Sequence, residues 1–159
     1  MFSISELLVG AGHIGICPLP GRFSSYHADL NTILKWQPKL VITMTTWVEL
    51  ERSDVSQFPE DLTKRKIRWV HFPVADYGTP QGDLQSWTEI SDQAHDVLSS
   101  GGRVLTHCYG GCGRSGMVFL RLMCEAGENV EWALERLRQA RPCAVETAAQ
   151  KVWAAGTYL

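Results

Sequence analysis

The sequence predicts an α/β fold with a central, mostly parallel twisted sheet and helices on both of its faces. Three observations carry this. Short apolar runs of strand length recur at residues 14–17, 40–44 and 103–106. Stretches with helical spacing separate them, and parallel neighbours need such crossovers. Loops bearing glycine or proline follow two of the strands, at 74–82 and 107–116.

The elements follow in order. Residues 8–9 and 14–17 read as short early strands. Residues 27–36 read as a helix that ends before Pro38, because the position before a proline leaves the α region. Residues 40–44 are a continuous apolar strand, and 46–52 a short helix. Residues 67–72 form a strand and 74–82 a loop. Asp83 is placed to cap a helix running to about Leu98, which Gly101 and Gly102 close. A buried strand at 103–106 and a helix at 117–124 enclose the second loop. Trp132, Leu134 and Leu137 give 131–139 helical spacing, and 145–158 is the last helix.

Composition sets bounds. A chain of 159 residues is expected to form one domain, 1–159, and 45% hydrophobic residues suffice for a core. Fifteen basic and seventeen acidic residues leave a net charge of −2, which gives no case for nucleic acid or an anionic membrane. There is no basic n-region before a long apolar run and no stretch near ~20 apolar residues, so no signal peptide or membrane span is expected. Five cysteines without framework spacing fit a reducing cytoplasm.

The loop from His107 to Gly116 carries the chemistry. It runs His107, Cys108, Tyr109, Gly110, Gly111, Cys112, Gly113, Arg114, Ser115, Gly116. Gly110, Gly111 and Gly113 let the backbone curl and aim several N–H groups at one point. The helix N-terminus adds free N–H groups and a partial positive charge. Arg114 adds a planar fork for two oxygens of a phosphate. Tyr109 to Arg114 thus form a cradle for a tetrahedral oxyanion, with Cys108 beneath it. The same positive field favours the thiolate, an activated nucleophile. The competing readings are a buried structural cysteine beside a surface arginine, or a metal site of His107, Cys108 and Cys112. The second lacks a further Cys/His cluster at zinc spacing, and neither a metal nor a cofactor is expected.

His107-Cys108 through Arg114-Ser115 resembles the signature of the cysteine-dependent protein tyrosine phosphatase superfamily, in its small dual-specificity-type members. Residues 72–80, Phe-Pro-Val-Ala-Asp-Tyr-Gly-Thr-Pro, resemble the loop that carries the general acid. Residues 15–21, the wording Cys108-Tyr109-Gly110-Gly111, and Arg141-Pro142 followed by Glu146 and Gln150 resemble the cyclin-dependent-kinase-associated branch. The likeness covers most of the chain from Gly15 onward. It implies hydrolysis of phosphotyrosine, with phosphoserine and phosphothreonine as further substrates, through a phosphocysteine intermediate.

In that scheme Cys108 attacks phosphorus while loop amides and Arg114 hold the developing charge. Asp76 is the candidate general acid. Asp83, Asp61 and Glu60 also lie in loop-like contexts, but the resemblance favours Asp76. Where many relatives carry Trp-Pro-Asp, this chain has Val74-Ala75-Asp76. Ser115 is placed to hydrogen-bond the sulfur as it departs. The resemblance alone implies that Gln150 positions the hydrolytic water. His107 is expected to orient the loop, while His13, His27, His71 and His95 read as structural or exposed. Arg141 supports the loop, binds substrate or is simply exposed. Cys112 reads as filling a small-residue slot. The sharper alternative is a resolving thiol for oxidised Cys108, with Cys17 and Cys124 as rival partners.

None of the loop positions 109–113 is Lys, His or Arg. That points away from polyphosphorylated inositol headgroups and toward phosphorylated proteins or peptides, with Tyr77 and Tyr109 as rim or core residues. Two other readings stand beside this one: a thiolate enzyme of oxyanions (an arsenate reductase or sulfurtransferase), and a non-catalytic phosphate-recognition module. The intact set of Cys108, Arg114, Ser115 and Asp76 argues against the module.

Overall fold

The computed structural model describes residues 1–82 and 84–156. Its strands β1 (Ser5–Val9), β2 (Gly12–Cys17), β3 (Leu40–Thr43), β4 (Arg68–His71) and β5 (Arg103–His107) form one sheet in the order β1-β2-β5-β3-β4. β1 and β2 are antiparallel, joined through Gly10 at φ +60°. The pairs β2–β5, β5–β3 and β3–β4 are all parallel.

The helices are α1 (Tyr26–Trp36), α2 (Trp47–Arg52), α3 (Phe58–Thr63), α4 (Leu84–Ser99), α5 (Gly113–Glu125), α6 (Val130–Ala140) and α7 (Ala148–Ala155). Successive strand residues point to opposite faces, and here both faces are apolar. Ile42 and Val104 pack with Ile90, Phe119, Leu134 and Ala154, from α4, α5, α6 and α7. Val41 and Leu105 pack on the other face with Leu30 and Ile33 of α1 and Phe58 and Leu62 of α3. The expected sheet with helices on both faces is therefore what forms, and β5 lies in its centre.

Local signals set several boundaries. Ser25 accepts the Ala28 N–H at the start of α1, and Asn129 caps α6. Thr46 with Glu49, and Thr147 with Gln150, form reciprocal capping boxes on α2 and α7.

Three elements differ from the sequence expectation. α3 was not foreseen: its six residues are too short to show a period, yet Phe58 and Leu62 anchor it in the core. α5 begins at Gly113 rather than 117. Its first turn holds two glycines and a serine, weak helix formers, and burial in tertiary contacts overrides that. α7 begins at Ala148 rather than 145, because Val145 sits at φ +63°, outside the helical region. The expected cap at Asp83 and the helix end at 158 lie outside the described residues. No helix among the described residues is long and apolar enough to cross a membrane.

Candidate active site

β5 leads directly into Cys108. His107, its last residue, pairs with Cys17 on one side and Thr43 on the other. The chain leaves the sheet at Cys108, turns through 109–112 and enters α5. The site therefore lies at the carboxyl end of a central parallel strand, where open α/β sheets bind ligands.

The loop's carbonyls are all turned outward to partners. Tyr109 O accepts from Leu19 N at 3.1 Å, and Gly110 O and Gly111 O accept from Arg141 at 3.2 and 2.8 Å. Cys112 O accepts from Gly116 N and Val145 N. Among the described residues, the N–H groups of Tyr109 to Arg114 donate to no acceptor on the chain. Gly111 is required here. Its φ is +69°, and a Cβ would lie 2.5 Å from the Cys17 carbonyl carbon. The amides of Tyr109, Gly110, Gly111, Cys112, Gly113 and Arg114 are thus left as donors without an acceptor among the described residues.

Cys108 is buried, with its Sγ 3.2 Å from Ser115 Oγ. His107 is wholly buried behind it. Its Nδ1 lies 3.3 Å from Cys108 O, an atom that only accepts, so Nδ1 carries the hydrogen. Its Nε2, 2.7 Å from Thr43 Oγ1, then accepts from the hydroxyl, which itself accepts from Trp69 Nε1 at 2.7 Å. Burial, reinforced by the Arg114 charge and opposed by the bond to Cys108 O, pushes His107 down to about 4. The ring is neutral at neutral pH and is bonded to the backbone at Cys108 O.

Arg114 is buried and almost fully committed. Its Nη1 donates to Glu49 Oε2 and Val74 O, both at 2.8 Å, and its Nη2 donates to Glu49 Oε1 at 2.8 Å. Asp76 Oδ1 lies 3.3 Å from Nη2. Its buried Nε–H has no acceptor. Burial alone raises the Glu49 pKa, but bonds from Arg114 and Thr46 outweigh it, so this carboxyl is held below the ordinary range and stays charged.

Asp76 is half exposed on a turn in which Gly78 N donates to Ala75 O. That loop is pinned on both sides: Arg114 holds Val74 O, and Gln150 Nε2 donates to Gly78 O at 3.1 Å. Gln150 is buried, and its Oε1 accepts from Glu146 N and Thr147 N. In this arrangement Gln150, on α7, braces the loop that carries Asp76. Of the other candidate acids, Asp61 is engaged with Tyr26 and Glu60 with Lys64, while Asp83 lies outside the described residues.

Cys112 departs from both expectations for it. It forms a disulfide with Cys143, across a sequence separation of 31. It is neither a free filler nor the partner of Cys108, and it is withdrawn from any metal set. The pairing also sits at odds with the reducing compartment that the cysteine count suggested. Cys17 and Cys124, its named rivals, are buried free thiols whose pKa values burial pushes up. Arg141 does support the loop, through Gly110 O and Gly111 O.

Sequence reasoning missed Glu49, Thr43 and Cys143. Thr46 and Glu49 carry the spacing of a capping box, which signals a helix start but not the arginine 65 residues on. Thr43 lay in an apolar strand. Cys143 follows Pro142 with no partner spacing to mark it.

Comparison with solved structures agrees. A kinase associated phosphatase (KAP) bearing serine in place of its catalytic-site cysteine matches with a TM-score of 0.85 and 27% identity, over 96% of this chain and 92% of that one. Tk-PTP in its active form matches with a TM-score of 0.74 and 27% identity, over 96% and 95%. Fold and loop together define a member of the cysteine-based protein tyrosine phosphatase superfamily.

Residues 4–131 match the family model for Cyclin-dependent kinase inhibitor 3 (CDKN3), and the chain belongs to that family. Its relatives of that name from Homo sapiens and Rattus norvegicus are 30% and 29% identical over 135 residues. These alignments cover 80% of this chain but 63% of each relative, so the chain spans less than two thirds of their length.

Proposed function

We propose that this chain is a protein phosphatase acting on phosphotyrosine, and on phosphoserine and phosphothreonine in the same cleft, through a phosphocysteine intermediate. The observation that carries it is the convergence of Cys108 Sγ, Ser115 Oγ, the loop amides and the Arg114–Asp76 contact of 3.3 Å at one strand end.

In the first step the Cys108 thiolate attacks phosphorus; the S–P bond forms as the ester P–O bond breaks. Asp76, protonated, gives its proton to the leaving oxygen. Loop N–H groups and Arg114 carry the charge of the transferring group. In the second step Asp76, now a carboxylate, takes a proton from water as that water attacks phosphorus. The S–P bond breaks, inorganic phosphate leaves, and Ser115 Oγ hydrogen-bonds the returning thiolate. Gln150 acts on this step through the loop it braces.

Phe23, Tyr77 and Tyr109 are exposed around a cleft of about 450 Å³ that Asp76 also lines. That aromatic rim supports a phosphorylated side chain of a protein or peptide as substrate, as does the likeness to a kinase associated phosphatase.

Hydrolysis of para-nitrophenyl phosphate by wild type, Cys108→Ser and Asp76→Asn tests the reading. Cys108→Ser is expected to be inactive, and Asp76→Asn slowed by roughly 10²- to 10⁴-fold. Equal rates for wild type and Cys108→Ser remove the phosphatase. An arsenate reductase or sulfurtransferase would not need Asp76.

A further inference from the structure

The loop positions contain no cation besides Arg114, but the tertiary structure supplies one from outside. Arg22, on the segment between β2 and α1, lines the same cleft of about 450 Å³ together with Phe23, Asp76, Tyr77, Tyr109 and Glu146. Its guanidinium carbon lies 4.1 Å from the Tyr109 ring centroid and 4.5 Å from that of Phe23. Its Nη1 donates to Tyr109 O at 3.2 Å. A Cβ added to Gly110 would lie 3.1 Å from that same nitrogen, so the guanidinium rests against the phosphate loop itself.

What Arg22 lacks is a carboxylate. Arg114, Arg121 and Arg136 each pair with a glutamate. Among the described residues no carboxylate lies within ion-pair distance of Arg22, and its one side-chain hydrogen bond is the Nη1 bond to Tyr109 O. Two rings and one carbonyl already restrain the planar group, so little side-chain freedom is lost when it takes an anion. Glu146 lines the same cleft, so a carboxyl and a guanidinium both border it.

We propose that Arg22, stacked between Phe23 and Tyr109, is a specificity-determining residue that binds an acidic side chain neighbouring the phosphorylated residue of a peptide substrate. The assignment rests on the phosphatase reading. The preference is expected on one flank, the one that lies by Arg22, since an acidic residue near Glu146, which lines the same cleft, meets like charge.

The test compares kcat/KM for phosphotyrosyl peptides bearing glutamate on the N-terminal flank, on the C-terminal flank or on neither, with alanine in its place. Wild type, Arg22→Ala and Arg22→Lys are measured. Wild type is expected to favour glutamate on one flank by roughly 5- to 10-fold, the scale of a charge-assisted bond at a wet edge. Arg22→Ala should bring the ratio near unity. Arg22→Lys should keep part of it, because an ammonium retains the charge without the fork. Absence of a preference in wild type overturns the inference, as does a preference that survives in Arg22→Ala. If no phosphopeptide is hydrolysed by wild type, the phosphatase reading falls and takes this one with it; equal hydrolysis of all three sinks only the Arg22 assignment.

Discussion

Glu49 grips Arg114 through two hydrogen bonds of 2.8 Å, one from each terminal nitrogen of the guanidinium. With Val74 O taking a third bond, the buried Nε–H is left over. The arginine is therefore fixed in orientation within the fold, the preorganisation that its proposed role as an oxyanion donor calls for.

Glu49→Gln is expected to lower kcat/KM for an aryl phosphate about 10- to 100-fold, or ~1.4–2.7 kcal/mol. Inhibition by vanadate should weaken in parallel, because the proposed oxyanion site relies on the guanidinium that Glu49 orients. Glu49 also caps α2, so melting temperatures must be compared. Kinetics and vanadate affinity matching wild type would show that Val74 O and Asp76 suffice to place Arg114.

The His107 relay gives a second prediction. Since burial holds the His107 pKa down at about 4, the ring is expected to supply no limb to the pH–rate profile between about pH 5 and 8. Thr43→Val leaves His107 Nε2 and Trp69 Nε1 without partners, a cost of about 1–3 kcal/mol for each unsatisfied group. The variant should be less stable and slower, with an unchanged profile shape. A limb near pH 6.5 that vanishes in His107→Asn would contradict the neutral ring.

Acid stability follows from Glu125. Burial alone would raise its pKa, but bonds from His95, Trp87, Ser91 and Arg121 outweigh this and hold it down at about 2, against 4.5 unperturbed. A depressed carboxylate stabilises the fold fully above its unfolded value and loses that contribution as pH falls from about 4.5 through about 2. The contribution is on the order of 3 kcal/mol at neutral pH. Urea unfolding of wild type and Glu125→Gln, followed from pH 7 downward, should show the gap between them closing over that window. A constant gap would place the stabilisation elsewhere.

The Cys112–Cys143 bond closes a loop across a separation of 31 residues. In the chain-entropy account such a link contributes about 3–4 kcal/mol. Cys143→Ala, or reduction with dithiothreitol, should lower the denaturation midpoint accordingly. Turnover should also fall, because Arg141 and Val145, on the same segment, hold the loop carbonyls. Thiol counting in the unfolded wild-type protein that finds five free cysteines would dismiss the bond.

Much of the site was legible because its chemistry is contiguous. Cys108, Arg114 and Ser115 stand within eight residues, their spacing set by one strand-to-helix turn. Asp76 needed the family likeness, since an aspartate in a turn has no local mark. Gln150 was named for water and found bracing Gly78 O, because the partner of a buried amide is decided by what packs over it.

From the chain alone came the layered α/β class, the strand feeding Cys108, and the glycines that curl the loop. These are local consequences of apolar runs, of residue spacing and of backbone freedom. Only the folded molecule decided that Glu49 holds Arg114, that Thr43 fixes the His107 tautomer, that Cys112 finds Cys143, and that Arg22 leans on Tyr109. Each is a meeting of residues from separate elements, set by the order in which the strands pack, and no stretch of sequence encodes that neighbourhood by itself.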